Sequence, residues 1–281
     1  MKLLRYGPKG QEKPGLLDAQ GQVRCLSGTI ADIDGAFLAN REAILKGVSI
    51  DSLPIVAAPG RIAEPVARVG KFVCIGLNYS DHAAESGMAV PTEPIIFMKA
   101  TSAIIGPNDD VLLPPTSVKS DWEVELGVVI GKEARYVSLE AAMDHVAGLC
   151  VINDLSEREF QLERGGQWDK GKGCDTFGPF GPWLVTLDDV ADVDNLGLWL
   201  DVNGKRMQTG STAKLIFNVP FLIHYVSQFM SLQPGDVIST GTPPGVGMGM
   251  KPSVFLQDGD IITLGIDGLG EQRQTVGRYK A

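Results

Sequence analysis

Short apolar runs broken by glycine and proline set the strongest limit on how this chain can fold. From Lys71 onward they return at close intervals: FVCIGLNY (72–79), IIFMKA (95–100), AIIGPNDDVLLP (103–114), EVELGVVIGK (123–132) and AGLCVIND (147–154). GPWLVT (181–186), LGLWLDVNGKRMQTG (196–210), GDVISTGTP (235–243), DIITLGIDGLG (260–270) and RQTVGRY (273–279) follow. Runs this short, rich in β-branched residues and bounded by turn formers, predict strands. Helical periodicity is confined to a few stretches: GAFLANREAILKG, YSDHAAESG, SLEAAMDHV, SEREFQLERG and VPFLIHYVSQFMSL. Many strands and few helices predict an α+β protein with a mixed-β core, closed or sandwich-like, rather than repeated βαβ units.

The first 66 residues differ in texture and read as a small N-terminal domain, a hairpin unit with a short helix that ends at LPIVAAPGRIAEPV. Residues 67–281 form the larger domain. A net charge of −9 leaves no basic surface for phosphates and argues against nucleic acid as a partner. MKLLRYGPKG lacks the apolar core of a signal peptide, and no apolar run approaches membrane-spanning length, so the cytoplasm is expected. The four cysteines show no CxxC spacing, which speaks against a disulfide framework or a zinc site. With only three histidines, His82, His145 and His224, a catalytic imidazole has few candidates. GVGMGM is not a dinucleotide fingerprint, because it follows a Pro-Pro turn and no helical pattern opens after it.

SDWEVELGVVIG (120–131) places acids at every second position of an expected strand. Alternation would put Asp121, Glu123 and Glu125 on one face, with Trp122, Val124, Leu126 and Val128 on the other. Carboxylates at i and i+2 are rooted ~7 Å apart, so their heads can converge on one ion. A third acid, Asp154, closes the apolar run AGLCVIND. Oxygen donors alone suit a hard cation, Mg²⁺ or Mn²⁺. The plain alternative is a solvated polar face on an edge strand.

CIGLNYSDHAAESG, EPIIFMK, DWEVELGVVIGK, INDLSEREFQ, GQWDKGKGCDTFGPFGPW, VNGKRMQTGSTAKLIFNVPFLIHYVS and LQPGDVISTGTPPGVG occur in that order. Together they resemble the fumarylacetoacetate hydrolase family, over a region running from about Lys71 to the C-terminus. The resemblance implies a mixed β-roll core and a homodimer or higher homo-oligomer. It implies metal ligation by Glu123, Glu125 and Asp154, with Asp121 behind them. His82 and Glu85 match an H-x-x-E pair in which the glutamate orients the histidine as a base. Lys172 matches a lysine that reaches the metal site, and Gln161 a glutamine that hydrogen-bonds the reacting carbonyl. Thr242 matches a threonine that holds the substrate carboxylate, with the adjoining Gly-rich turn offering N–H groups to an anion. Lys99 and Thr176 are further candidates, for which a surface lysine and a turn hydroxyl are equally good descriptions. His145 and His224 sit in expected amphipathic helices without a matching motif. Leu77 stands where acylpyruvate-cleaving relatives often carry arginine, which implies a different substrate tail.

The implied reaction is metal-dependent hydrolysis of the C3–C4 bond of a 2,4-dioxo acid. His82 would activate the attacking water, Gln161 and Lys172 would stabilise the oxyanion, and the bonding electrons would leave in a pyruvate enolate. RGGQWDKGKGCDTFGPFGPWLVT and STGTPPGVGMGMKP resemble the branch that cleaves 2,4-diketo-3-deoxy-L-rhamnonate or L-fuconate to pyruvate and lactate. Members of that branch are also labelled ureidoglycolate lyase. Rival readings are decarboxylation of a β-keto acid such as oxaloacetate, and a catalytically dead binding module.

Overall fold

The computed structural model describes residues 1–82 and 89–280. It is built mainly of strands, as the α+β reading predicts, and its longer helices are Gly35–Leu45 and Val219–Ser227. The larger sheet runs in spatial order Val23–Cys25, Lys13–Leu17, Lys2–Tyr6, Gly178–Val185, Val146–Asn153, Val124–Ile130, Val237–Ser239, Phe72–Gly76 and Ile95–Lys99. Two short strands, Ile62–Ala63 and Ile104–Ile105, pair alongside this path. A second sheet has five strands, in the order Lys205–Ser211, Gly197–Val202, Ile261–Ile266, Gly270–Arg278 and Val111–Leu113.

The two faces of the larger sheet bury different cores. Leu126, Val128 and Val151 pack with Leu198, Leu200, Leu264 and Ile266 of the second sheet. Val129, Cys150 and Ile152 pack instead with Leu16, Ile33 and Phe37 of the N-terminal segment. Strand Val124–Ile130 is therefore buried on both faces, which is why it reads as a nearly continuous apolar run. The solvated edge-strand alternative is excluded, because this strand is hydrogen-bonded on both sides.

Residues 1–66 do not form a sheet of their own. Lys2–Tyr6 pairs antiparallel with Gly178–Val185, Lys2 opposite Val185 and Leu3 opposite Leu184. Leu3, Leu16, Leu26 and Phe37 share one core with Phe72, Cys74 and Phe180. One ion pair crosses the seam, Arg61 with Asp109, while Arg5 with Asp32 and Glu64, and Arg61 with Glu12, tie the N-terminal segment to itself. Helix Gly35–Leu45 starts where the Asp34 side chain accepts from Phe37 N at 3.0 Å, an ordinary N-cap.

The acid-rich strand departs from its expected extent. It is not continuous over 120–131: Ser120–Asp121 pairs with Ser156–Glu157, and the long strand begins only at Val124. The break at Trp122–Glu123 takes Asp121 off the period-two pattern and points it to other partners. Other expected helices are short: SLEAAMDHV contains only a 3₁₀ turn at Ala142–His145, and SEREFQLERG one π-helical turn at Glu159–Glu163. Among the described residues, no helix is long and apolar enough to cross a membrane.

Candidate active site

Strand register brings the three proposed ligands together. Val124 lies opposite Asn153, and Asp154 N donates to Glu123 O at 2.9 Å, so Asp154 emerges directly across from Glu123. Glu125, two residues on, faces the neighbouring strand Val237–Ser239. Carboxylate oxygens of Glu123, Glu125 and Asp154 lie within 4.8 Å of one another, all buried.

The cluster carries its own cations. Lys172 Nζ reaches Glu123 Oε2 and lies 2.7 Å from Asp154 Oδ2. Lys99 Nζ is 2.7 Å from Asp154 Oδ1. Arg158 donates through Nη2 to Glu123 Oε1 at 2.7 Å and through Nε to Asp121 Oδ2 at 2.8 Å. Four carboxylates thus face three cations, leaving one negative charge in excess. That excess falls on Glu125, which among the described residues makes no ion pair. Its Oε2 accepts from Ser239 Oγ at 2.6 Å and Gly241 N at 2.9 Å. Burial, then the neighbouring Asp154 and Glu123 charges, push the Glu125 carboxyl well above the usual range. Glu123 behaves in the opposite way: burial opposes its charge, but Lys172 and Arg158 outweigh burial and hold it at about 2. Burial likewise opposes the Lys172 ammonium, and Asp154 and Glu123 outweigh it and raise its pKa.

These features fit a divalent cation. The donors are oxygens only, one carboxylate has no counter-charge, and buried Asp154 Oδ1 receives no hydrogen bond although Lys99 is near. With two positive charges added, the cluster would carry one net positive charge, suited to an organic acid.

A cavity of about 160 Å³ opens beside the carboxylates, lined among others by Ile75, Leu77, His82, Phe97, Arg158, Gln161, Trp168, Lys172 and Thr242. Gln161 accepts from Arg158 Nη1 through Oε1 at 3.1 Å, which leaves its amide N–H₂ as the donor end. Gln161 and Lys172 approach closely because Gly171 separates the two turns: a Cβ there would come within 2.7 Å of Gln161 N and 2.3 Å of Glu157 O. The Phe97 ring packs edge-on to Trp168 at 5.4 Å, with Lys172 Nζ 5.1 Å from its centroid.

The cavity brings together His82, Gln161, Lys172, Thr242, Glu123 and Glu125; Asp154 reaches it through its contact with Lys172. Glu85 lies outside the described residues. Lys99 is no surface lysine and is not on the cavity wall: fully buried, it donates to Leu155 O at 2.9 Å and to Lys172 O behind Asp154. Thr242 Oγ1 donates to Val124 O at 2.9 Å and accepts from Gln208 Nε2 at 2.8 Å, so its one proton already has a protein acceptor. The Gly-rich turn serves an internal anion, since Gly247 N and Met248 N donate to Asp121 at 2.6 and 3.0 Å. Thr176 accepts from Leu112 N, away from the cavity. His145 and His224 each contact a backbone carbonyl through Nδ1, at Lys132 and Val137. Arg158 is the participant that sequence reasoning missed. Its position three residues before Gln161, at the start of the expected helix SEREFQLERG, was the available signal.

Comparison with known proteins gives a consistent result. A family model described as the fumarylacetoacetate (FAA) hydrolase C-terminal region matches residues 71–277. A Burkholderia cenocepacia protein named as a presumed hydrolase is 60% identical over 277 residues, covering 98% of both chains. Fumarylacetoacetate hydrolase from Exiguobacterium antarcticum superposes with a TM-score of 0.86 at 35% identity, covering 99% of this chain and 100% of that one. Maleylpyruvate hydrolase from Sphingobium sp. SYK-6, solved with manganese(II) and pyruvate, gives 0.84 at 29% identity over 100% of both chains. On its matched family model, its relatives and its fold, this chain belongs to the fumarylacetoacetate hydrolase family.

Proposed function

We propose that this protein is a metal-dependent hydrolase that cleaves the C3–C4 bond of a 2,4-dioxo acid, releasing pyruvate and a second acid. The observation that carries the reading is the buried group Glu123, Glu125 and Asp154, one carboxylate of which has no counter-charge, at the end of a cavity holding Lys172, Gln161 and His82. Manganese(II) and pyruvate bound together in the Sphingobium relative support it. When bound by Glu123, Glu125 and Asp154, Mg²⁺ or Mn²⁺ would supply Lewis-acid polarisation of the 2-keto oxygen and a sink for the electrons of the broken bond.

The chain's own groups divide the remaining work. His82 takes the proton of the water that attacks C4, and Glu85 orients the imidazole. The Gln161 amide N–H₂, turned outward by Arg158, donates to the oxygen that gains charge at C4, and the Lys172 ammonium adds to that field. Bond cleavage then yields the pyruvate enolate, which takes a proton at C3. The substrate favoured by sequence is 2,4-diketo-3-deoxy-L-rhamnonate or L-fuconate, whose products are pyruvate and lactate. Its tail ends in a methyl group, compatible with Leu77 on the cavity wall. A homodimer or higher homo-oligomer in the cytoplasm, without nucleic acid or membrane partners, completes the proposal.

The test is a screen of 2,4-dioxo acids and β-keto acids with Mg²⁺ and Mn²⁺, scoring pyruvate and CO₂ separately. Metal-dependent pyruvate release from a dioxo acid is expected. CO₂ from oxaloacetate with no dioxo-acid cleavage would replace the reading with decarboxylation.

A further inference from the structure

The cavity has two chemically distinct parts. Buried Glu123, Glu125, Arg158, Gln161, Lys172 and Thr242 form its polar part, with the Phe97 ring beside Lys172, whereas Leu77, Trp168, Leu162 and Met248 give it an apolar part, Leu162 and Met248 being exposed; His82 also lines it. The cations of the polar part are already engaged: Lys172 with Glu123 and Asp154, Arg158 with Asp121 and Glu123. Among the described lining residues there is no other lysine or arginine, and the sequence of residues 83–88, AAESGM, contains none.

Leu77 is placed with unusual backbone cost. Its φ is +48°, in the left-handed region that disfavours a bulky side chain by about 1–2 kcal/mol. Both neighbours hold it there. A Cβ on Gly76 would come within 2.8 Å of the Trp168 ring, so residue 76 must stay flush against that wall. Asn78 is fully buried, donating to Phe217 O at 3.0 Å and Thr240 O at 2.8 Å while accepting from Phe217 N at 2.9 Å. Such over-determination of a strained residue is expected where its side chain has a task.

We propose that this apolar part is a tail subsite, centred on Leu77, that accepts a short methyl-terminated chain and rejects one ending in a second carboxylate. The inference rests on the dioxo-acid reading above and narrows its substrate class to monocarboxylates. A terminal methyl would exchange water for the Leu77, Trp168 and Met248 side chains. A terminal carboxylate would lose part of its hydration against Leu77 and Trp168 and find no lysine or arginine free of a carboxylate partner there, which corresponds to discrimination of about 100-fold.

The test compares 2-oxohexanoate with 2-oxoadipate, equal in length and differing only in methyl against carboxylate at the far end. Calorimetric titration of the Mn²⁺-supplemented protein should show the monoacid binding about 100-fold more tightly. Leu77→Arg should narrow that ratio at least tenfold. Leu162→Lys, at an exposed rim position that tolerates charge, should move it the same way if Leu77→Arg does not fold. Equal or tighter binding of the diacid, no binding of either acid, or an unchanged ratio in the folded variants would overturn the proposal. Turnover of propionylpyruvate and succinylpyruvate keeps the two readings apart. Comparable pyruvate release from both sinks the tail subsite alone, whereas a retained binding preference without release from either sinks the hydrolase reading alone.

Discussion

Glu125→Gln and Asp154→Asn should have opposite consequences in protein stripped of metal, although both remove one carboxylate from the same cluster. Among the described residues Glu125 makes no ion pair, and its hydrogen bonds from Ser239 Oγ and Gly241 N can be accepted equally by an amide oxygen. Removing its charge also removes the excess negative charge, so metal-free stability should hold or rise. Asp154 is paired with both Lys99 and Lys172, and its loss leaves buried ammonium groups under-compensated, at a cost of about 3–5 kcal/mol. At about 2.1 cal/mol/K per residue, a chain of 281 residues unfolds with an entropy of about 0.6 kcal/mol/K. The Asp154→Asn loss is then about 5–8 °C in Tm. Metal at a hundred times its Kd should raise the wild-type Tm by about 4–5 °C, from about 2.7 kcal/mol of linkage. Neither variant should show that rise. Differential scanning calorimetry with EDTA and then with Mn²⁺ reads all of these values. A metal-free Glu125→Gln that melts several degrees below wild type, or that keeps the full Mn²⁺ shift, would refute the charge accounting.

His82→Ala should abolish dioxo-acid hydrolysis with little change in metal-induced stabilisation; a coupled pyruvate assay and a melting curve separate the two. Gly171→Ala should force the Lys172 and Gln161 turns apart, costing about 1–3 kcal/mol in urea unfolding and disproportionately more in kcat. Acid sensitivity should reside partly in the seam between the N-terminal segment and the rest. Burial opposes the Asp109 charge, but Arg61 outweighs it and lowers its pKa; burial also opposes the Glu12 charge, which the backbone N–H groups of Glu12 and Gly10, and then Arg5 and Arg61, hold below its usual value. Because these folded-state values lie below the unfolded ones, their stabilisation is complete above about pH 4 and fades as pH falls through the folded values. Asp109→Asn should therefore flatten the fall in stability below about pH 4, measured by urea titration at stepped pH; an unchanged slope would show that the seam does not titrate.

Much of the fold was legible because its signals are local. Strands such as Phe72–Gly76, Ile95–Lys99 and Val124–Ile130 lie inside the apolar runs that predict them. The cap and apolar spacing of Val219–Ser227 likewise give its helix away. What depends on partners distant in sequence was not legible. The texture of residues 1–66 marks them as separate, but pairing of Lys2–Tyr6 with Gly178–Val185 leaves no trace in local periodicity. The strand pattern grouped Asp121 with Glu123 and Glu125, because a two-residue break in hydrogen bonding does not alter alternation. For Lys99 the sequence left a substrate contact and a surface lysine equally open; its burial is stabilised by Asp154, 55 positions away and unseen by any window. Arg158 was overlooked because its function depends on three acceptors converging in space, Asp121, Glu123 and Gln161.

The place of Lys2–Tyr6 in the larger sheet bears on how the protein is made. During synthesis this strand can pair with Lys13–Leu17 and, through Arg5 and Tyr6, with Ile62–Ala63, but the edge at Lys2 and Leu3 stays unmated until Gly178–Val185 has been translated. Throughout that interval its neighbour in the nascent chain is missing, and the exposed edge invites pairing with other nascent chains. Shielding of that short edge by a chaperone until Val185 has been translated would therefore favour the yield of folded protein.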